Sequence, residues 1–219
     1  MAAVWQRARS DEQREQRRSA LLDAASRLLA RKPLSEISLN AIAAEANITK
    51  SNVYRYFESR EDVFLRLMLA ATDAWCEFII QRLGELEPGD DHRVARALTS
   101  ATLENPTFAR LGSVVATVLE HNVSADAVAH FKLAFLARVS AIVQPLGRVL
   151  PELGDDQVFQ VLETAYHHLV AIWPSAHPPP EVAKALARPE LEGACIDFEA
   201  SLQQTIRVTI AGLRALNPT

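Results

Sequence analysis

The sequence predicts an all-α protein, with an N-terminal three-helix unit containing a helix-turn-helix and a larger helical domain behind it. Three observations carry this. Apolar residues recur at helical spacing along the whole chain. No segment alternates at period two over strand length, and no Asn-Gly or Asp-Gly hairpin dipeptide occurs. Caps and prolines divide the chain into pieces of helical length.

Taken in order, Ser10 with Gln13 forms a capping-box pattern that opens a first helix. Ala20, Leu21, Ala24, Ala25, Leu28 and Leu29 give it an apolar stripe, and Pro33 stops it. Ser38 caps a second helix reaching about Ala46. Asn47 falls where the turn requires a positive φ, a position that Gly holds most easily and Asn next. Thr49 is placed to cap a third helix over 50–57. Ser59-Arg60-Glu61-Asp62 is another capping-box pattern, opening a long helix to about Leu86.

Glu87-Pro88-Gly89-Asp90-Asp91 is a linker. Helices are expected beyond it at about 92–103, 106–121 and 125–148, the second opened by Asn105 and Pro106. Pro145 should kink or stop the third. Asp155-Asp156 opens a helix whose Val158, Val161, Leu162, Ala165, Leu169, Ile172 and Trp173 share one face, with Pro174 closing it. His177-Pro178-Pro179-Pro180 leads to a short helix at about 181–187. A last helix, about 195–216, carries Leu202, Ile206, Ile210 and Leu213 on one stripe. Phe198, Val208 and Ala215 lie off that stripe, so this helix is expected to bury more than one face.

The formal net charge of −4 argues on its own against a nucleic-acid partner. Charge by region argues otherwise. Residues 1–70 hold 12 Lys and Arg against 9 Asp and Glu, whereas the remainder holds 11 against 18. A basic end on an acidic body suits local contact with DNA. The two cysteines, Cys76 and Cys195, form no metal or redox motif and are too few for a disulfide framework. Cys76 sits in an apolar helix and is expected to be buried and inert. With no signal-peptide pattern and no long apolar run, a cytoplasmic protein with no membrane partner is expected.

The segment from Ile42 to Phe57 carries the functional signal. Ile42, Ala43, Ala46, Ile48, Val53 and Phe57 form an apolar underside, and Thr49, Lys50, Ser51, Asn52, Arg55 and Tyr56 point outward. Cations and phenols can reach phosphates, while amides and hydroxyls can read base edges. A helix-turn-helix lays the second of its helices in the major groove and braces it with the first. Arg17 and Arg18 fit either an arm along the DNA backbone or a solvated helix face.

Val53-Tyr54-Arg55-Tyr56-Phe57 followed by Ser59-Arg60-Glu61, behind Ser38-Leu39-Asn40-Ala41-Ile42-Ala43, resembles the DNA-binding region of the tetracycline-repressor (TetR) family over about residues 15–66. The resemblance implies a DNA-binding domain at 1–58 and a ligand-binding and dimerisation domain at 59–219. It implies a transcriptional regulator, a dimeric repressor that binds a palindromic operator and is released by a small molecule. By position it assigns Tyr54 and Tyr56 to the phosphates, Arg60 to the next helix start, and Lys50, Ser51, Asn52 and Arg55 to base edges or nearby backbone. Ser38 and Thr49 join this DNA-contacting set. Asn47 stands where the family commonly has Gly, and Tyr56 where it often has His.

For an effector pocket, candidate walls are Trp75, Phe78, Phe108, Val115, Leu119, Phe131 and Phe135, with His121, Tyr166, His167 and Trp173 as polar or aromatic partners. The simpler reading of each is core packing. Glu163 and His167 could chelate a metal with Glu120 or His121, but a surface ion pair explains that spacing as well, and no metal or cofactor is expected. The helices near 157–173 and 195–216 are the candidates for a dimer interface. No GxSxG, Gly-rich loop or HExxH motif occurs, so an enzyme is not expected. The rival reading is a helical ligand-binding or scaffold protein without sequence-specific DNA affinity.

Overall fold

The computed structural model describes the backbone of residues 2–216 and the side chains of residues 12–216. Among the described residues there is no strand. The α-helices are α1 (Ala2–Arg31), α2 (Leu39–Glu45), α3 (Lys50–Val53), α4 (Arg60–Gly84), α5 (Asp91–Glu104) and α6 (Pro106–Gly112). They continue as α7 (Ala125–Ser140), α8 (Val143–Val149), α9 (Asp155–Ala176), α10 (Pro180–Leu186) and α11 (Phe198–Ala215). They form two compact units. One holds the chain through Leu69 together with Val115–Phe131; the other holds Ala70–Val114 and the chain from Lys132.

In the first unit, Leu21, Ala24, Ala25, Leu28 and Leu29 of α1 are buried, as are Ile37, Ile42, Val53, Phe57 and Phe64. Helix α1 begins at Ala2 rather than after Ser10, so Ser10 is an interior helical residue and not a cap. Ser38 caps α2 by accepting a hydrogen bond from the Ala41 amide at 3.1 Å. At its other end Asn47 takes φ 54°. There the Asn47 amide donates to the Ala44 carbonyl, and the Ile48 amide to that of Ala43. This is the Schellman pattern, which needs one left-handed residue just past the helix end. Glu45 then ties α2 to α1 by accepting from Arg27 at 3.0 Å and Arg31 at 2.9 Å. The Arg27 bond is the main cause that holds the Glu45 carboxyl below its ordinary value.

In the second unit α11 packs on α9 and α5, and α6 and α8 pack on α9. Three helices differ from expectation. The one predicted at 106–121 stops at Gly112, and a 3₁₀ turn at Leu119–Asn122 follows. Val114, Val115, Thr117 and Val118 lie between, and β-branched residues lose side-chain freedom in a helix. The one predicted at 125–148 breaks after Ser140, upstream of Pro145. Pro145 sits in the first turn of α8, where a missing N–H costs nothing. Helix α9 runs through Pro174 to Ala176, because a proline this close to the end removes little from the ladder.

Helix α11 buries Phe198, Leu202, Ile206, Ile210 and Leu213, whereas Val208 is 64 % exposed and Ala215 is also exposed. Within one chain its second face is therefore open. Asp197 caps it by accepting from the Ala200 amide at 3.0 Å. Near the other end Arg214 binds Asp91 at 2.7 Å and also reaches Glu152, which pins α11 to the start of α5.

Candidate DNA interface and effector cavity

Helix α3 is a single turn, shorter than predicted; Tyr54, Arg55 and Tyr56 continue it as a turn closed by the Tyr56 and Phe57 amides donating to the Val53 carbonyl. Aromatic residues in sequence favour a helix less than Ala or Leu would. Val53 and Phe57 are buried beneath the segment. Lys50, Ser51, Tyr54 and Arg55 are exposed, and Asn52 and Tyr56 are half-buried. Thr49 occupies the cap position, but its hydroxyl lies 3.3 Å from that of Ser51 and does not cap the helix.

Two other members of the predicted set are engaged within the chain. The exposed Ser38 hydroxyl serves α2 as its cap. Arg60 donates from Nη1 to the Ile37 carbonyl at 3.2 Å and from Nη2 to Glu61 at 2.6 Å. It therefore fastens the turn ahead of α2 to the start of α4. Beside it the Ser59 hydroxyl accepts from the Asp62 amide at 3.1 Å, and the Asp62 carboxylate accepts from the Glu58 amide at 3.1 Å and Arg66 at 2.9 Å. Burial pushes the Asp62 carboxyl above its ordinary value, against the lowering effect of the Glu58 bond.

Helix α1 contributes a component that the sequence only half disclosed. Gln13, Arg14 and Arg17 line one cleft with Arg55 and Tyr56. In the sequence Arg17 is open to two readings, Gln13 reads as a capping-box partner of Ser10, and Arg14 carries no assignment. Their three- and four-residue spacing on one helix face was the available signal. Three guanidinium groups around one cleft make a surface suited to phosphate.

A cavity of about 160 Å³ lies in the second unit. Of the predicted pocket residues, Trp75, Phe108, Phe135, Tyr166 and His167 line it, joined by Leu136, Val139, Phe159, Leu162 and Glu163. The Trp75 and Phe108 rings stack with centroids 4.4 Å apart and 11° between planes. Trp75 is oriented by its indole N–H, which donates to the buried Thr102 hydroxyl at 3.1 Å. Tyr166 lies 5.3 Å from Phe135 and 6.0 Å from Phe108. Phe159, Leu162, Glu163 and Tyr166 follow helical spacing on α9, and that signal could have found them.

The remaining pocket candidates lie elsewhere. Phe78 is half-buried under Arg82, whose guanidinium stands 5.1 Å from the ring centroid. Trp173 stacks on His177 at 3.7 Å and meets Phe198 edge-on. Val115, Leu119, His121 and Phe131 belong to the first unit, where all but the exposed His121 are buried. Phe131 there lines a groove with Glu58, Asp62, Arg66 and His130.

Cys76 is buried and Cys195 exposed. Desolvation pushes the Cys76 thiol up to about 12. Among the described residues no group of three or more His, Cys, Asp or Glu is arranged to hold a metal ion, and no helix is long and apolar enough to cross a membrane.

Two family models match the chain, one after the other. Residues 21–67 match the family model described as bacterial regulatory proteins, tetR family, and residues 69–217 the model described as tetracyclin repressor-like, C-terminal domain. The HTH-type transcriptional regulator AcrR of Shigella flexneri is 25 % identical over 162 residues, covering 71 % of this chain and 66 % of that protein. The chain thus spans slightly less than two thirds of that relative. A possible TetR family regulator from Streptomyces coelicolor A3(2) superposes with a TM-score of 0.60 at 22 % identity, over 91 % of this chain and 100 % of that one. The fatty acid degradation regulator FadR from Bacillus halodurans superposes with a TM-score of 0.58 at 14 % identity, over 90 % and 96 %. These two likenesses show the shared fold. With both family models matched in order along an all-helical chain, the protein belongs to the tetracycline-repressor (TetR) family of DNA-binding transcriptional regulators.

Proposed function

We propose that the protein is a dimeric repressor that binds a palindromic operator through α3 and is released when a small molecule enters the Trp75–Tyr166 cavity. One observation carries the DNA half of this reading. Lys50, Ser51, Tyr54 and Arg55 stand exposed over a buried Val53 and Phe57, and among the described residues the Lys50 and Arg55 side chains make no hydrogen bond or ion pair. Rigid backing and free cations are what a phosphate- and base-contacting surface needs. Asn52 and Tyr56 complete that surface, and residues 1–58 form the DNA-binding domain in this reading. Thr49, whose hydroxyl pairs only with that of Ser51 at 3.3 Å, is a phosphate donor in this reading. Ser38 and Arg60 act mainly by holding the domain together.

The open face of α11 supports dimerisation. Val208 is exposed beside Gln203, Gln204, Arg207 and Ala211 on one surface. An isologous pairing of α9 and α11 would form a four-helix interface about a two-fold axis. Helix α4 supplies both Arg60, next to the DNA-binding segment, and Trp75, on the cavity wall. A ligand that moves α4 would alter the separation of the two recognition helices, which must match half-sites about 34–36 Å apart. A coupling free energy of about 1–3 kcal/mol would suffice for regulation. The protein acts by binding alone in this reading, without turnover of its ligand.

In vitro selection of bound DNA tests the proposal. An enriched palindrome is the expected result; its absence, with folded dimeric protein, would favour a ligand-binding or scaffold role. Sedimentation checks the dimer, and a monomer at micromolar concentration would refute it.

A further inference from the structure

We propose that the cavity selects a small organic cation built on a single aromatic ring, with the ring inside and the charged nitrogen at the mouth beside Glu163. The proposal rests on the reading of this cavity as the effector site. Size supplies the first constraint. An enclosed apolar space of about 150 Å³ accommodates benzene, and the cavity here is about 160 Å³. One ring fills it, and a larger ligand would extend beyond its mouth.

Wall chemistry supplies the second. Trp75, Phe108, Phe135, Phe159 and Tyr166 surround the space, and aromatic faces attract cations through their quadrupoles. The stacked Trp75–Phe108 pair offers a flat surface for a ring, held in orientation by Thr102.

Charge supplies the third. Among the described residues Glu163 is the only acidic one on the lining, and no Lys or Arg joins it there. It is exposed, and among the described residues it forms no ion pair. A carboxylate at an aromatic mouth favours an ammonium or amidinium, leaves a neutral ligand nearly unaffected and repels a carboxylate.

The test uses the full-length protein at neutral pH and three probes with similar ring size: benzylamine, benzyl alcohol and benzoate. Binding is followed by quenching of tryptophan fluorescence, with Trp75→Phe as the control that removes the Trp75 component and leaves the emission of the other two tryptophans. Benzylamine should bind roughly 3- to 30-fold more tightly than benzyl alcohol, the combined effect of a cation–π contact and an exposed ion pair, and benzoate should bind most weakly. Glu163→Gln, at an exposed position, should erase the benzylamine preference and leave benzyl alcohol unchanged. If the probes bind with no cation preference, or Glu163→Gln preserves it, the cation proposal is overturned while the cavity remains an effector site. If none of the three binds, both are overturned.

Discussion

The Arg60 guanidinium donates to the Ile37 carbonyl oxygen at 3.2 Å, joining the start of α4 to the chain just ahead of α2. Its remaining donors hold Glu61, which is only 6 % exposed. Arg60→Ala would remove these bonds together and leave a buried carboxylate without its cation. A loss of about 1–3 kcal/mol in urea unfolding is expected. Full stability combined with weakened DNA binding would instead make Arg60 chiefly a phosphate contact.

Lys50 and Arg55 should behave in the opposite way. Both are exposed and form no ion pair among the described residues, so Lys50→Ala and Arg55→Ala should leave the melting temperature unchanged. Each should weaken operator binding and reduce the slope of log affinity against log salt by about one. Unaltered affinity and slope in both variants would remove α3 from the interface.

Asn47 at φ 54° is a test of backbone strain. A β-branched side chain there meets the carbonyl clash of the left-handed region, so Asn47→Val should cost about 1–2 kcal/mol. Asn47→Gly should be close to neutral, and equal urea midpoints for Val and Gly would contradict this account.

The Asp62 carboxyl is raised above its ordinary 3.8 by burial, so the folded protein holds this proton more tightly than the unfolded chain does. Its contribution to stability therefore falls as pH climbs from about 4 through the raised value, and is flat above it. Urea midpoints from pH 4 to 7 should show the wild type losing stability relative to Asp62→Asn over the lower part of that range. A relative gain would mean that the Arg66 bond outweighs burial.

With its thiol pushed up to about 12, Cys76 stays protonated near neutrality and lies out of reach of reagents. A thiol-reactive dye at pH 8 should label one cysteine per native chain, Cys195, and two after denaturation. Rapid labelling of both in the native protein would show that the region around Cys76 opens readily.

Much of the DNA-binding unit was legible because its determinants are local. Ser38, Ser59 and Asn47 act on amides within four residues, and short-range pattern is enough to find them. The cavity was half legible. Aromatic character singled out Trp75, Phe108, Phe135, Tyr166 and His167, but gave Phe78 and Trp173 equal standing although they pack against Arg82 and His177.

By itself, then, the sequence determined the helical class, the Ser38 and Ser59 caps and the Asn47 turn, and the apolar underside that leaves Lys50 and Arg55 outward. Each depends on backbone propensities or on periodicity along a single element. Only the tertiary structure decided which stripes share a core: Val115, Leu119 and Phe131 with the N-terminal helices, Glu163 with the aromatic cavity, and Arg14 with Arg55. Burial is non-directional, so an apolar stripe states that it must be covered without stating by what. That choice belongs to contacts between residues far apart in the chain.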